Sequence, residues 1–278
     1  MKNSVAAGVG RDARGRVRYI DPEWRDRDEV PRIGDRESRH ANTSYRDIVV
    51  HDARASDETF GLDTSGFELV EHHTSAATAD EDTIRSRYRD EMLDVVRRIA
   101  GADRTYVLGH LVRTEDTSDF NTAYSRFVHC DYHVAVLDDM SVGLLRKRGV
   151  EPEPGWTFAW YNTWQPFDHV VEQNPLAMLD VRSLGAGDLI DYRYTGYAEH
   201  DDTDGGLVSA PVYDPDHRWW YYPRMTPSEL LLTKQLDPRP GRASQCPHTS
   251  FLDPTVPDDV PPRRSIETRV LAVFEQPA

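Results

Sequence analysis

Phe127-Val128-His129-Cys130-Asp131-Tyr132-His133-Val134-Ala135-Val136 is the stretch whose reading decides the fold. Its apolar, β-branched content marks a strand, and a strand sends residues two apart to the same face. His129 and Asp131 therefore point one way and Cys130 the other. An imidazole and a carboxylate offered side by side, joined by a second histidine from a distant strand, make a facial triad for non-heme Fe(II), with open positions for oxygen and an organic co-substrate. His248, in Cys246-Pro247-His248-Thr249-Ser250-Phe251, is the candidate third ligand.

A second pair with the same spacing, His200-Asp201-Asp202, competes with the first. It sits in a polar loop running to Gly205-Gly206, without the apolar flanks that hold ligands rigidly. The first pair is preferred on that ground.

Downstream of His248, Pro262-Arg263-Arg264-Ser265-Ile266-Glu267-Thr268-Arg269-Val270-Leu271-Ala272-Val273-Phe274 reads as a final strand. Arg263, Ser265, Glu267 and Arg269 share one face. An arginine at the mouth of a strand, with a hydroxyl two residues on, can hold the far carboxylate of a dicarboxylate such as 2-oxoglutarate. Arg263 and Ser265 are the candidates, with Arg269 in reserve; the competing reading is a row of surface arginines paired with Glu267.

Elsewhere, Ile84, Tyr88, Met92, Val95, Val96 and Ile99 recur at helical spacing, with Asp82 or Thr83 as cap and Gly101 after the end. Strands are expected at 105–112, 155–164, 176–181, 189–194, 206–213, 217–223, 229–237, 246–251 and 265–275, with a short helix at 138–148. Many short strands divided by Gly, Pro and Asp turns predict a mainly β chain with flanking helices, a barrel or double-sheet jelly roll. Leu179 to Asp188 faintly resembles the strand and glycine loop of a nucleotide or S-adenosylmethionine site, but a strand follows it and an ordinary turn is the better reading. Residues 1–46 are expected to be a charged arm, and 47–278 a single domain.

The 33 basic residues against 48 acidic give a net charge of −15, which argues against nucleic acid as a partner. No window is apolar enough to span a bilayer and the N-terminus lacks an apolar leader, so a cytoplasmic protein is expected. Cys130 and Cys246 are too few for a disulfide framework. The aromatic groups Trp156 to Trp164 and Trp219 to Tyr222 mostly supply core; Trp219 and Tyr221 share one face, Trp220 and Tyr222 the other, and one pair could wall a pocket, Trp219 and Tyr221 being the candidates.

Several segments in order resemble the hydroxylase/desaturase family, which includes fungal gibberellin desaturase-like proteins and the bacterial cephalosporin hydroxylase of cephamycin pathways. They are Val128-His129-Cys130-Asp131, Asn162-Thr163-Trp164-Gln165-Pro166, Asn174-Pro175-Leu176-Ala177, His217-Arg218-Trp219-Trp220-Tyr221, Leu231 to Asp237, His248-Thr249-Ser250-Phe251 and Arg263 to Arg269. The resemblance implies an Fe(II)/2-oxoglutarate oxygenase on a cupin-like double-stranded β-helix, with His129, Asp131 and His248 as iron ligands. Gln165 stands where many members have Arg, and Arg264 where many have an acidic residue, which adds positive charge beside the proposed co-substrate site.

Length and Arg113-Thr114-Glu115-Asp116 resemble the cephalosporin 7α-hydroxylase most. This implies hydroxylation of a cephalosporin in β-lactam antibiotic biosynthesis, alongside an S-adenosylmethionine-dependent methyltransferase. Arg113, Trp164, Gln165, Trp219 and Tyr221 are the candidate substrate residues. The alternatives are a desaturase on another natural product, a non-catalytic partner subunit of a methyltransferase, and a methyltransferase, which would need an α/β sheet.

Overall fold

Consecutive apolar residues, buried on both faces, build three long ribbons, Thr157–Pro166 (β6), Glu229–Leu236 (β11) and Ser265–Phe274 (β13), and the rest of the chain packs around them. The computed structural model describes residues 12–76, 84–113, 126–195, 206–257 and 259–275. The ribbons pair antiparallel and are flanked by Phe67–Glu71 (β4) and Arg104–Arg113 (β5), giving a sheet in the order β4, β11, β6, β13, β5. A second sheet joins Ala13–Ile20 (β1), Thr43–Asp52 (β3), Trp219–Tyr221 (β10), Leu176–Leu179 (β7) and His248–Ser250 (β12), in the order β1, β3, β10, β7, β12. Arg32–Ile33 (β2), Leu189–Tyr194 (β8) and Gly206–Pro211 (β9) form a third, smaller sheet.

The two large sheets face each other across one apolar cluster, with Phe67, Trp164 and Leu231 from one and Met178 and Trp220 from the other. This is a double-stranded β-helix. Arg36–Asn42 (α1) is capped by the Asp35 carboxylate, which accepts from the Ser38 N–H at 2.8 Å. Arg89–Ala100 (α2) lays Met92, Val95 and Val96 on the outer face of the β6 and β13 sheet, and ends at Gly101 in the left-handed conformation. Leu137–Lys147 (α3) packs Leu144 and Leu145 against Phe158, Trp160 and Leu271. One end of the space between the sheets is thereby filled and the other left for chemistry.

Parity along β6 and β13 decides what faces that space. Trp160, Asn162 and Trp164 look inward; Tyr161, Thr163 and Gln165 look toward α2. On β13, Glu267 pairs across from Trp164 and Arg269 from Asn162, so these four side chains share the inner face.

Three sequence expectations are corrected. Residues 13–20 are a strand of the main sheet, not part of a solvated arm: Arg14 and Arg16 alternate outward while Val17, Tyr19 and Ile20 are buried. The run from 127 to 136 is not a strand: Phe127 and His129 make isolated bridges on an extended segment, and Val134–Val136 turns into a short 3-10 helix leading into α3. β3 and β4 were not anticipated as strands. The proposed caps Asp82 and Thr83 lie outside the described residues.

The Leu231 to Asp237 segment has a structural role at its end. The fully buried Lys234 ammonium donates to Asp63 at 2.5 Å and Asp237 at 2.8 Å, and Arg239 reaches Asp237 at 2.7 Å. Buried charges persist only when paired in this way.

Candidate metal centre and co-substrate cleft

His129 lies on a short extended segment clamped on both sides. Val128 N–H donates to Arg18 O at 2.9 Å and Cys130 N–H to Ser209 O at 2.8 Å, fixing the segment between β1 and β9. His129 and His248 exchange both backbone hydrogen bonds, N to O at 3.2 and 3.0 Å. In such a pair the Cα atoms stand about 5.5 Å apart with side chains on one face. The imidazole centroids are accordingly 4.8 Å apart.

The donor atoms of His129, Asp131 and His248 all lie within 4.8 Å of one another. Asp131 Oδ1 is 3.4 Å from His129 Nε2 and 3.9 Å from His248 Nε2. Each imidazole is held by a carbonyl two residues earlier: His129 Nδ1 meets Phe127 O at 2.7 Å and His248 Nδ1 meets Cys246 O at 3.0 Å. A carbonyl only accepts, so each Nδ1 carries the proton and each Nε2 lone pair faces the centre. Burial, and His129 opposite, hold the His248 pKa below its ordinary value, favouring the neutral form that ligates metal. Burial acts against the Asp131 carboxylate, but Arg269 and the two imidazoles outweigh it and keep its pKa well below the usual range. Two imidazole nitrogens and one carboxylate oxygen, with an open side, fit the donor set of a mononuclear Fe(II) centre.

Around this centre lies a narrow cleft that opens to solvent, lined by Arg113, Asn162, Trp164, Leu176, Arg263 and Glu267 together with both histidines. Arg263 is 3% exposed, donates through Nη1 to Asn174 O, and carries its guanidinium over the Trp164 ring at 5.4 Å. Asn174 adopts φ 51° to present that carbonyl. The Ser265 hydroxyl is fully buried and has no hydrogen-bond partner among the described residues. Arg264 does not add charge here, because its guanidinium turns outward to Asp168. Arg269 lies nearer the triad than Arg263 does, with Nη2 3.7 Å from Asp131 Oδ2 and Nε donating to Glu267 at 3.1 Å. Arg113 approaches the other Glu267 oxygen at 3.7 Å.

Of the expected substrate residues, Arg113 and Trp164 line the cleft and three others do not. Gln165 is one step along the strand from Trp164 and so faces α2; its oxygen accepts from Tyr88 Oη at 3.0 Å, and its nitrogen donates to His72 O and Pro227 O at 3.0 and 2.7 Å. Trp219 pairs with Leu179, whereas His248 pairs with Met178, so Trp219 lies on the sheet face opposite the histidine. It donates to Tyr19 Oη at 2.8 Å, and Tyr221 packs edge-on against Phe251. Trp219 and Tyr221 are core residues, and Trp220 is on the inner face instead. His200 lies outside the described residues. Asn162 and Asn174 were missed as site residues, although the parity of Asn162 with Trp164 was available. Burial raises the pKa of both Cys130 and Cys246, and neither thiol belongs to the triad of donor atoms.

Gln165→Ala therefore acts on stability. Three partners lose their bond in a buried place, costing about 1–3 kcal/mol, and the melting temperature falls by several degrees while kcat/KM is unchanged. A changed kcat/KM at unchanged melting temperature would return Gln165 to the cleft.

The fold and this candidate triad fit a mononuclear metal-dependent enzyme. A family model described as oxidoreductase/YMDC permease-like domain matches residues 18–274. The chain is 31% identical over 261 residues to the hydroxylase/desaturase efuI of Hormonema carpetanum, covering 82% of this chain and 83% of that one. It is 26% identical to the Fe(II)/2-oxoglutarate-dependent dioxygenase nvfI of Aspergillus novofumigatus, over 91% and 94% of the two chains. A solved structure of the iron and alpha-ketoglutarate-dependent endoperoxidase NvfI superposes with a TM-score of 0.80 at 23% identity, covering 96% of this chain and 99% of the other. The chain belongs to the Fe(II)/2-oxoglutarate-dependent hydroxylase/desaturase family. It is an enzyme, with Fe(II) and 2-oxoglutarate as metal and co-substrate. The methyltransferase reading needs a parallel α/β sheet with crossover helices, whereas these sheets are mainly antiparallel, with β3–β10 and β2–β8 the parallel pairs. No helix among the described residues is long and apolar enough to cross a membrane.

Proposed function

We propose that this enzyme oxidises a small secondary metabolite with oxygen and 2-oxoglutarate, using His129, Asp131 and His248 as iron ligands. The observation that carries the reading is the meeting of two imidazole Nε2 atoms and one carboxylate beside a cleft lined by the buried Arg263, with the unpartnered Ser265 hydroxyl on the same strand face as Glu267. Bound Fe(II), with 2-oxoglutarate and oxygen, supplies oxidising power that no side chain possesses. The protein supplies position. Arg263 and Ser265 take the far carboxylate of the co-substrate, the first by charge and the second by donating its hydrogen. Trp164 flanks that arginine and keeps water from screening it. Arg269 and Arg113, neutralised by Asp131 and Glu267, keep the cleft from accumulating unbalanced charge.

For the substrate, we propose a cephalosporin hydroxylated at the 7α position, with a methyltransferase acting on the product. Its support is the sequence resemblance around Arg113. A second reading, another secondary metabolite that is hydroxylated or desaturated, is favoured by the names of the fungal relatives. Iron-loaded enzyme incubated with cephalosporin C, 2-oxoglutarate and oxygen should release succinate above the substrate-free rate and add one oxygen atom to the antibiotic by mass spectrometry. Absence of that product, while another metabolite stimulates succinate release, selects the second reading.

A further inference from the structure

The two oxygens of Asp131 live in different surroundings. Oδ1 faces the histidines at 3.4 and 3.9 Å, whereas Oδ2 accepts from Asn162 Nδ2 at 2.5 Å. Arg269 approaches the same Oδ2 only to 3.7 Å, beyond hydrogen-bond length, and its Nε is committed to Glu267. We infer that Asn162 is the positioning residue of the metal carboxylate, a role that rests on Asp131 being an iron ligand. With Oδ2 held, Oδ1 would be the oxygen offered to a metal ion at the triad, which would leave positions for co-substrate and oxygen.

Three features support this assignment. Asn162 is 3% exposed, yet its own Oδ1 has no hydrogen-bond partner among the described residues, so Asp131 is the one group its amide serves there. An amide kept only for the fold would be expected to satisfy both ends. The assignment of nitrogen toward Asp131 follows from chemistry, because an amide oxygen against a carboxylate would repel it. Asn162 also sits on the rigid centre of β6, cross-strand from Arg269, so its reach to Asp131 is set by sheet register rather than by a loop. Removing the donor frees the carboxylate to turn toward Arg269 or to chelate the metal with both oxygens.

The test is Co(II) titration of the metal-free protein by calorimetry, comparing wild type with Asn162→Ala and the near-isosteric Asn162→Leu, and recording the d–d absorption of the bound ion. The expected result is binding weaker by roughly 10- to 100-fold, with an altered d–d spectrum, in variants whose metal-free melting temperature shows them to be folded. Co(II) affinity and spectrum within error of wild type in folded Asn162→Leu would overturn the inference while leaving the metal centre standing. A wild-type chain that binds no Co(II), or an Asp131→Ala chain that binds it normally, would overturn the metal-site reading and this inference with it.

Discussion

Asp131→Ala is expected to lose metal binding and succinate release together, down to the metal-free background. The loss should exceed the roughly 10- to 100-fold that outer partners of a metal site typically cost. Two effects combine. The site keeps only two imidazoles, and the Arg269 guanidinium, whose pKa is raised by Asp131 and Glu267 against its burial, is left with one carboxylate beside the place where a dication would sit. Because His129 and His248 are joined through backbone atoms, the fold should survive the substitution. Co(II) titration and succinate assay read the two losses, and circular dichroism reads the fold. His200→Ala should change neither. Full turnover in Asp131→Ala, or loss in His200→Ala alone, would move the centre to the other His-x-Asp pair.

Arg263→Ala is expected to raise the half-saturating concentration of 2-oxoglutarate by roughly 30-fold or more, because truncating one partner of a buried charge pair costs about 2–5 kcal/mol. The buried guanidinium, aligned by Asn174 O and roofed by Trp164, suits a ligand carboxylate better than solvent. Ser265→Ala removes one hydrogen bond and should cost less. Arg269→Ala serves as the contrast, since its contacts with Asp131 and Glu267 tie it to the metal side of the cleft. Steady-state titration of 2-oxoglutarate at saturating iron measures all three. An unchanged value in Arg263→Ala beside a steep rise in Arg269→Ala would transfer the role.

Local pattern made most of the later strands legible. The expected ranges 189–194, 229–237 and 265–275 meet Leu189–Tyr194, Glu229–Leu236 and Ser265–Phe274. Alternation and turn residues act within a few neighbours, so sequence carries them well. Which face turns inward is a different matter, because it depends on packing between sheets. Trp219 and Tyr221 do share a face, as parity demanded, but that face is turned away from the cleft. Gln165 was placed beside Trp164 although neighbours in a strand point oppositely, so parity alone could have corrected it. β1 was hidden by composition: the alternation of Arg14 and Arg16 with small or apolar neighbours was present, but the density of charge around it resembled a solvated arm.

The paired backbone bonds between His129 and His248 join opposite halves of the chain, with no turn to bring them together beforehand. Contacts of that kind must overcome the entropy of the intervening loop, so the triad exists only in chains whose two halves have come together. An ion that binds only the assembled triad draws the folding equilibrium toward the native state, by about 2.7 kcal/mol at a hundred times its dissociation constant. Metal supply would then set how much of this chain persists folded, as well as how fast it turns over.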